Sequence, residues 1–255
     1  MKMVTPMSQN SPRRPKKSPP AKKPKTDVQS RRSVNKSKRA SPKKPIDITK
    51  GIETLKKIYP EAHCELNYRN PFELLVATVL SAQCTDVRVN LVTPALFHEA
   101  PGPEQLSKMP IERIEDIIRS TGFFKNKAKN LKALAQTLVE KYHGEVPQDL
   151  DALVELPGVG RKTANVVLGN AFHIASGVVV DTHVSRLSQR LGWTRNTTPE
   201  KIEMDLEKSI PKSDWILISH LLISHGRSLC KARNPDCVAC FFVKDCPSAK
   251  SLQKF

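Results

Sequence analysis

Lys162, Asp181 and four cysteines near the C-terminus are the residues whose types and spacing could do chemistry. Lys162 follows Leu156-Pro157-Gly158-Val159-Gly160-Arg161 and reads as first-turn helix, an end where the helix dipole disfavours a cation. The dipole, the neighbouring Arg161 and partial burial would all favour the neutral amine. A neutral amine can attack electrophilic carbon and form a Schiff base. On residue type alone, a solvated lysine or one more anion contact is the simpler account. Asp181 follows the apolar run Gly177-Val178-Val179-Val180 and precedes a helical pattern, so it reads as an N-cap. A carboxylate near such an amine could also stabilise positive charge or assist a leaving group.

The elements around these residues are helical in period. Leu150, Leu153, Val154 and Leu156 share one face before the turn, and Ala164, Val167, Leu168 and Ala171 share one after it. Pro157 ends the first helix, and Gly158 and Gly160 permit positive φ and close backbone approach. Such a hairpin leaves N–H groups pointing outward at a helix start, which is an anion site. An ordinary helix–turn–helix connection is the alternative. Gly158, Val159, Gly160 and Arg161 are the backbone candidates for a phosphate.

The cysteines are Cys230, Cys237, Cys240 and Cys246, spaced C-x6-C-x2-C-x5-C. So compact a thiol set argues for metal over disulfides in a reducing compartment. By spacing alone zinc and a [4Fe–4S] cluster both remain open. Cys64 and Cys84 lie outside the set; Cys64 reads as structural and Cys84 as a small buried residue.

The sequence Leu-Pro-Gly-Val-Gly-Arg-Lys-Thr-Ala-Asn-Val-Val, followed by Val-Asp-Thr-His-Val, resembles the helix–hairpin–helix segment of the endonuclease III family. The resemblance runs from about Ile48 to about Pro247. It implies a bifunctional DNA glycosylase with abasic-site lyase activity, acting in base excision repair on oxidised or ring-saturated pyrimidines. It implies that Lys162 is the nucleophile and Asp181 its catalytic partner. The cysteine spacing matches the family's iron–sulfur ligands, so the resemblance implies a [4Fe–4S] cluster. Gln83, in Ser81-Ala82-Gln83-Cys84-Thr85-Asp86, matches the glutamine that fills the gap left by an extruded nucleotide. Asp86 itself reads as a helix cap.

Thr121-Gly122-Phe123-Phe124-Lys125-Asn126-Lys127 reads as a loop with two aromatics beside two lysines. That composition suits a wedge flanked by phosphate contacts, against the alternative that both phenylalanines are core. The two lysines, Lys125 and Lys127, are the candidate flanking contacts by that composition, and the resemblance places a second wedge at Phe123, where leucine is commoner.

The chain has 255 residues, enough for a sizeable core, and a formal net charge of +17 that points to a polyanionic partner. The charge is uneven. Residues 1–45 hold 15 Lys/Arg against Asp27 alone, while the remainder holds 27 against 24 acids. Residues 1–45, rich in Pro, Ser, Lys and Arg, are expected to be disordered and to add salt-sensitive affinity, or else to be a dispensable extension. No apolar run of membrane-spanning length occurs.

The architecture that the resemblance implies is all-α in two lobes. One is a helical barrel of residues 64–174, with the hairpin at about 150–171. The other joins residues 46–63 to 175–255 and holds the cluster, with a DNA groove between the two. The expected partner is double-stranded DNA with a damaged base or abasic site, bound by a monomer in a bacterial nucleoid, or in a nucleus if the source is eukaryotic. A monofunctional mismatch glycosylase of the same superfamily is the nearest alternative, which a lysine at 162 opposes. A non-catalytic DNA-binding module is another, separated by activity on abasic DNA.

Overall fold

The computed structural model describes residues 44–252, so of the basic N-terminal segment only Lys44 and Pro45 fall inside it. Among the described residues every regular element is helical. In order these are α1 (Ile48–Ile58), α2 (Pro71–Leu80), α3 (Asp86–Glu99), α4 (Pro103–Lys108), α5 (Ile111–Ile118) and α6 (Phe124–Tyr142). They continue as α7 (Leu150–Val154), α8 (Arg161–Phe172), α9 (Thr182–Leu191), α10 (Pro199–Ser209), α11 (Trp215–Ser228) and α12 (Ala249–Leu252). Short 3-10 turns cover Arg119–Thr121 and Lys212–Asp214.

Helix α2 is the centre of one core. Asn70 caps it by accepting from the Glu73 N–H at 2.9 Å, and Pro71 supplies the preset φ of the first turn. Its length and these start signals make it a helix although its residues are nearly all apolar. Leu74, Leu75, Val76, Ala77 and Leu80 are fully buried, as expected of a helix enclosed on every side. The cluster around it takes in Val89, Leu96, Ile114, Leu131, Leu138, Leu153 and Leu168, contributed by α3, α5, α6, α7 and α8. Truncating one such leucine to alanine costs about 2–5 kcal/mol.

A second buried cluster gathers Ile52 and Leu55 of α1 with Val178, Val180, Val184, Leu187, Leu206, Ile218, Leu222 and Phe242. Trp193 closes it near the chain start, donating its indole N–H to the Ile46 carbonyl at 3.0 Å. The residues flanking the cysteines therefore share a core with the first helix of the described chain.

Two local expectations change. Helix α6 begins at Phe124, so Phe124, Lys125, Asn126 and Lys127 are its first turn, not a loop. The cap of α3 is Thr85, which accepts from the Arg88 N–H, while Asp86 is the first residue inside the helix.

Candidate active site

The hairpin is built as its glycines suggest, with one difference. Asp149 caps α7 through the Ala152 N–H at 2.9 Å, and the Val159 N–H closes a turn on the Leu156 carbonyl at 3.0 Å. Gly158 has φ of 78°, and a Cβ there would stand 2.9 Å from Asn130 Nδ2. Gly160, with φ of −99°, is not left-handed; it is the N-cap of α8 and faces open space. No side chain caps that helix, so its first N–H groups remain available to an anion. Val159 points its side chain into the core, leaving only its backbone on the outer face.

Lys162 is exposed, contrary to the partial burial expected of it, and lines a cavity of about 420 Å³. Asp181 lines the same cavity. It does cap α9, with Oδ1 accepting from the Val184 N–H at 2.7 Å; that bond uses one of its two oxygens. The extended run before Asp181 is tied to α11 by the Ser219 hydroxyl, which donates to the Val179 carbonyl at 2.9 Å. The cavity thus receives Lys162 from the helix after the hairpin and Asp181 from the start of α9. Its walls come from both cores, with Thr78, Ser81 and Cys84 on one side and Ser219, His220 and Ile223 on the other.

Several lining residues were not singled out as site residues in the sequence. His183 Nδ1 accepts from the Arg186 guanidinium at 3.1 Å, and burial lowers the His183 pKa, which favours the neutral ring. His220 meets Asn170 Oδ1 at 2.9 Å, and burial lowers its pKa too. Arg227 ion-pairs with Asp86 at 2.6 Å and with Glu65, joining α11 to α3 and to the segment before α2. Cys84 is half-buried on the cavity wall, not enclosed in the core. Nothing short of the fold would mark these residues, because they come from five separate stretches of chain.

Arg161, assigned as a phosphate contact, is exposed and also has a partner within the protein. Its guanidinium donates to both Glu203 oxygens at 3.2 Å, and hydrogen bonding to that carboxylate raises its pKa. Glu203 also accepts from Asn165 at 2.9 Å, and Asn165 in turn accepts from Ser176 at 2.8 Å. This hydrogen-bonded chain, buried at Asn165 and Glu203, ties the start of α8 to α10 and to the segment leading to Asp181. Arg161 therefore acts first as a strut.

Gln83 and Phe123 are both exposed and both left-handed, with φ of 55° and 47°. Such angles are uncommon for residues other than glycine and are held in place by their surroundings. Phe123 is 66% exposed, whereas Phe124 packs on the first core with Arg119 5.3 Å from its ring centroid. One aromatic is thus outside and one inside. Lys125 is exposed, as a phosphate contact requires. Lys127 is not: it is buried, and its Nζ donates to the Leu80 and Thr121 carbonyls at 2.8 Å each. Its assignment as a DNA contact is wrong, because residues 127, 131, 134 and 138 form the inward stripe of α6.

The four cysteines line one small pocket with Arg190, Leu191 and Phe242. Arg190 Nη1 lies 3.3 Å from Cys230 Sγ and donates to the Lys231 carbonyl at 2.8 Å, placing a fixed cation against the sulfurs. Burial raises the Cys237 and Cys246 thiol pKa values and pushes Cys240 up to about 11. His225, itself buried, meets Tyr59 Oη at 3.1 Å and Cys240 Sγ at 3.6 Å, so it is a packed residue. Among the described residues no three His, Cys, Asp or Glu side chains could hold a metal ion as they stand. A cluster makes a different demand, since each thiolate binds its own iron around a cage. Four thiols around one pocket beside an arginine fit that donor set.

A family model described as HhH-GPD superfamily base excision DNA repair protein matches residues 76–212. Endonuclease III of Synechocystis sp. is 56% identical over 197 residues, covering 77% of this chain and 90% of that protein. The chain belongs to the endonuclease III family. Endonuclease III of Bacillus subtilis is 45% identical over 204 residues, 80% of this chain and 93% of that protein. Among solved structures, a trapped endonuclease III–DNA covalent intermediate superposes with a TM-score of 0.77 at 47% identity, covering 80% of this chain and 96% of that one. A thermostable thymine-DNA glycosylase, at 23% identity and a TM-score of 0.71, shares the fold.

Proposed function

We propose that Lys162 and Asp181 are the catalytic pair of this endonuclease III family member. The chain is a base excision repair DNA glycosylase, and its partner is DNA carrying a damaged base or abasic site. The observation that carries the residue assignment is that Lys162 and Asp181, from different helices, open into one cavity beside the uncapped start of α8. The relative's trapped covalent intermediate with DNA supports a covalent mechanism.

In this reading the N–H groups after Gly158 hold a backbone phosphate and set the register of the duplex without reading sequence. An oxidised pyrimidine nucleotide turns out into the cavity, at lower cost than an undamaged one because its stacking is weakened. Gln83 and Phe123 occupy the vacated space, with Lys125 at the flanking backbone. The Lys162 amine attacks C1′, the base departs with the bonding pair, and Asp181 stabilises the positive charge or moves the proton. Loss of a proton from the attached amine and opening of the C1′–O4′ bond, with O4′ taking up a proton, give the Schiff base; this acidifies the C2′ proton, and β-elimination breaks the strand 3′ to the lesion.

The lobe boundaries we propose are residues 64–174 for the barrel and 46–63 plus 175–255 for the other lobe, following the two buried clusters. Cys230, Cys237, Cys240 and Cys246 would hold a [4Fe–4S] cluster, whose contribution is to brace the C-terminal loop. The protein would act as a monomer on genomic DNA, in a nucleoid or a nucleus; among the described residues no helix is long and apolar enough to cross a membrane.

Single-turnover assays on one duplex with an oxidised pyrimidine test the pair. Lys162→Ala should lower both base release and strand scission by about a thousandfold or more. Base release at the normal rate with scission alone lost would place the nucleophile elsewhere.

A further inference from the structure

Lys127 lies on the inward stripe of α6, where an apolar residue would fill the same space. Its ammonium is nonetheless placed between two helical C-termini. It donates to the Leu80 carbonyl, the last residue of α2, and to the Thr121 carbonyl, the last residue of the 3-10 turn. Its backbone N–H also bonds the Phe123 carbonyl at 3.1 Å. A cation at a helix C-terminus satisfies carbonyls that have no partner within the helix and complements the dipole there. Here one cation does this for two segments at once, and each segment then turns left-handed. Gln83 follows Leu80 by three positions with φ of 55°, and Phe123 follows Thr121 by two with φ of 47°.

We propose that Lys127 is a positioning residue, its ammonium clamping the two turns together so that Gln83 and Phe123 enter the duplex as one rigid unit. The inference rests on the proposed wedge roles of Gln83 and Phe123. It explains why a buried cation, whose pKa burial lowers, stands where methionine or leucine would pack. Lys127 does not line the Lys162 cavity, so the clamp acts through the wedges and not on the reacting atoms.

The test compares strand cleavage at an abasic site within a duplex, where the site must be opened, with cleavage of the same site in single-stranded DNA. Full-length Lys127→Met should lower the duplex-to-single-strand ratio of kcat/KM about tenfold or more. It should also blunt the fluorescence rise of 2-aminopurine placed opposite the site. Lys127→Arg, which keeps N–H donors for both carbonyls, should recover most of the ratio. A Met variant that loses activity equally on both substrates, or Arg and Met variants equally impaired in the ratio, would reduce Lys127 to packing and overturn the proposal. If Lys127→Met does not fold, Lys127→Gln, with amide donors on a shorter stem, is read by the same ratio. Gln83→Ala and Phe123→Ala serve as the separate check on the wedges. If they lower the ratio and the Lys127 variants do not, the clamp is wrong and the wedges stand. If they leave it unchanged, the wedge reading fails, and the clamp with it.

Discussion

Asp181 has two roles that substitution can separate. As an N-cap it stabilises α9 through the Val184 N–H, and as a carboxylate it faces the Lys162 cavity. Asparagine caps a helix about as well as aspartate, whereas alanine costs roughly 0.5–2 kcal/mol. Asp181→Asn should therefore keep the melting temperature and lose about a hundredfold or more in base release, the range expected for a general acid–base group. Asp181→Ala should lose both. Equal melting losses in the two variants, measured by calorimetry, would contradict the capping account. At this scale much is legible in the sequence. The lysine after the hairpin and the aspartate before α9 stand out in the linear chain because each sits at a helix start. Lys127 misleads because a cation's charge is visible in sequence and its partners are not. The inward stripe of α6 holds the signal for Lys127; the Glu203 that engages Arg161 lies on another helix and leaves none.

The hairpin gives an element-scale prediction, because its two glycines differ. Gly158→Ala puts a side chain at φ of 78° against Asn130, which should cost about 1 kcal/mol or more in stability as well as DNA affinity. Gly160→Ala meets open space at φ of −99°, so it should fold nearly as well yet crowd an approaching phosphate. Its dissociation constant for abasic duplex should rise several-fold with little change in melting. Intact affinity in Gly160→Ala would move the phosphate away from this turn. Both glycines look alike in the sequence, because only tertiary packing decides which one must be left-handed.

The polar knot beneath the hairpin should be felt as a pH effect. Glu207 leaves Oε1 buried without a partner, and burial first, then the neighbouring Glu203, raises its pKa above the ordinary carboxylate value. The folded state then holds a proton that the unfolded state has released, so stability falls as pH rises from the ordinary range, about 4.3, through the raised value. Glu207→Gln should be more stable than the parent at pH 7 and should flatten melting temperature over that window. An unchanged slope would show that Glu207 is not the titrating group.

At the scale of the molecule, the all-helical class follows from apolar periods of three and four residues, and the second core is harder to foresee. It joins α1 to residues more than a hundred positions away, and no local pattern encodes that return. The cavity takes its lining from around both buried clusters, with Lys162 reaching it from the helix after the hairpin and Asp181 from the start of α9. The strongly basic residues 1–43 lie outside the described part, and their proposed contribution is electrostatic. Removing them should make the dependence of log binding constant on log salt less steep, by about 0.9 for each duplex phosphate that the segment had neutralised. An unchanged slope would mean that the segment neutralises none.

Borohydride trapping on a duplex with one abasic site tests the central claim most directly, because reduction turns a Schiff base into a permanent cross-link. The account predicts a covalent protein–DNA band from the intact protein, with the link mapping to Lys162 by mass spectrometry, and no band from Lys162→Ala. A band of undiminished intensity from folded Lys162→Ala, or no band from intact protein that binds the duplex, would contradict it.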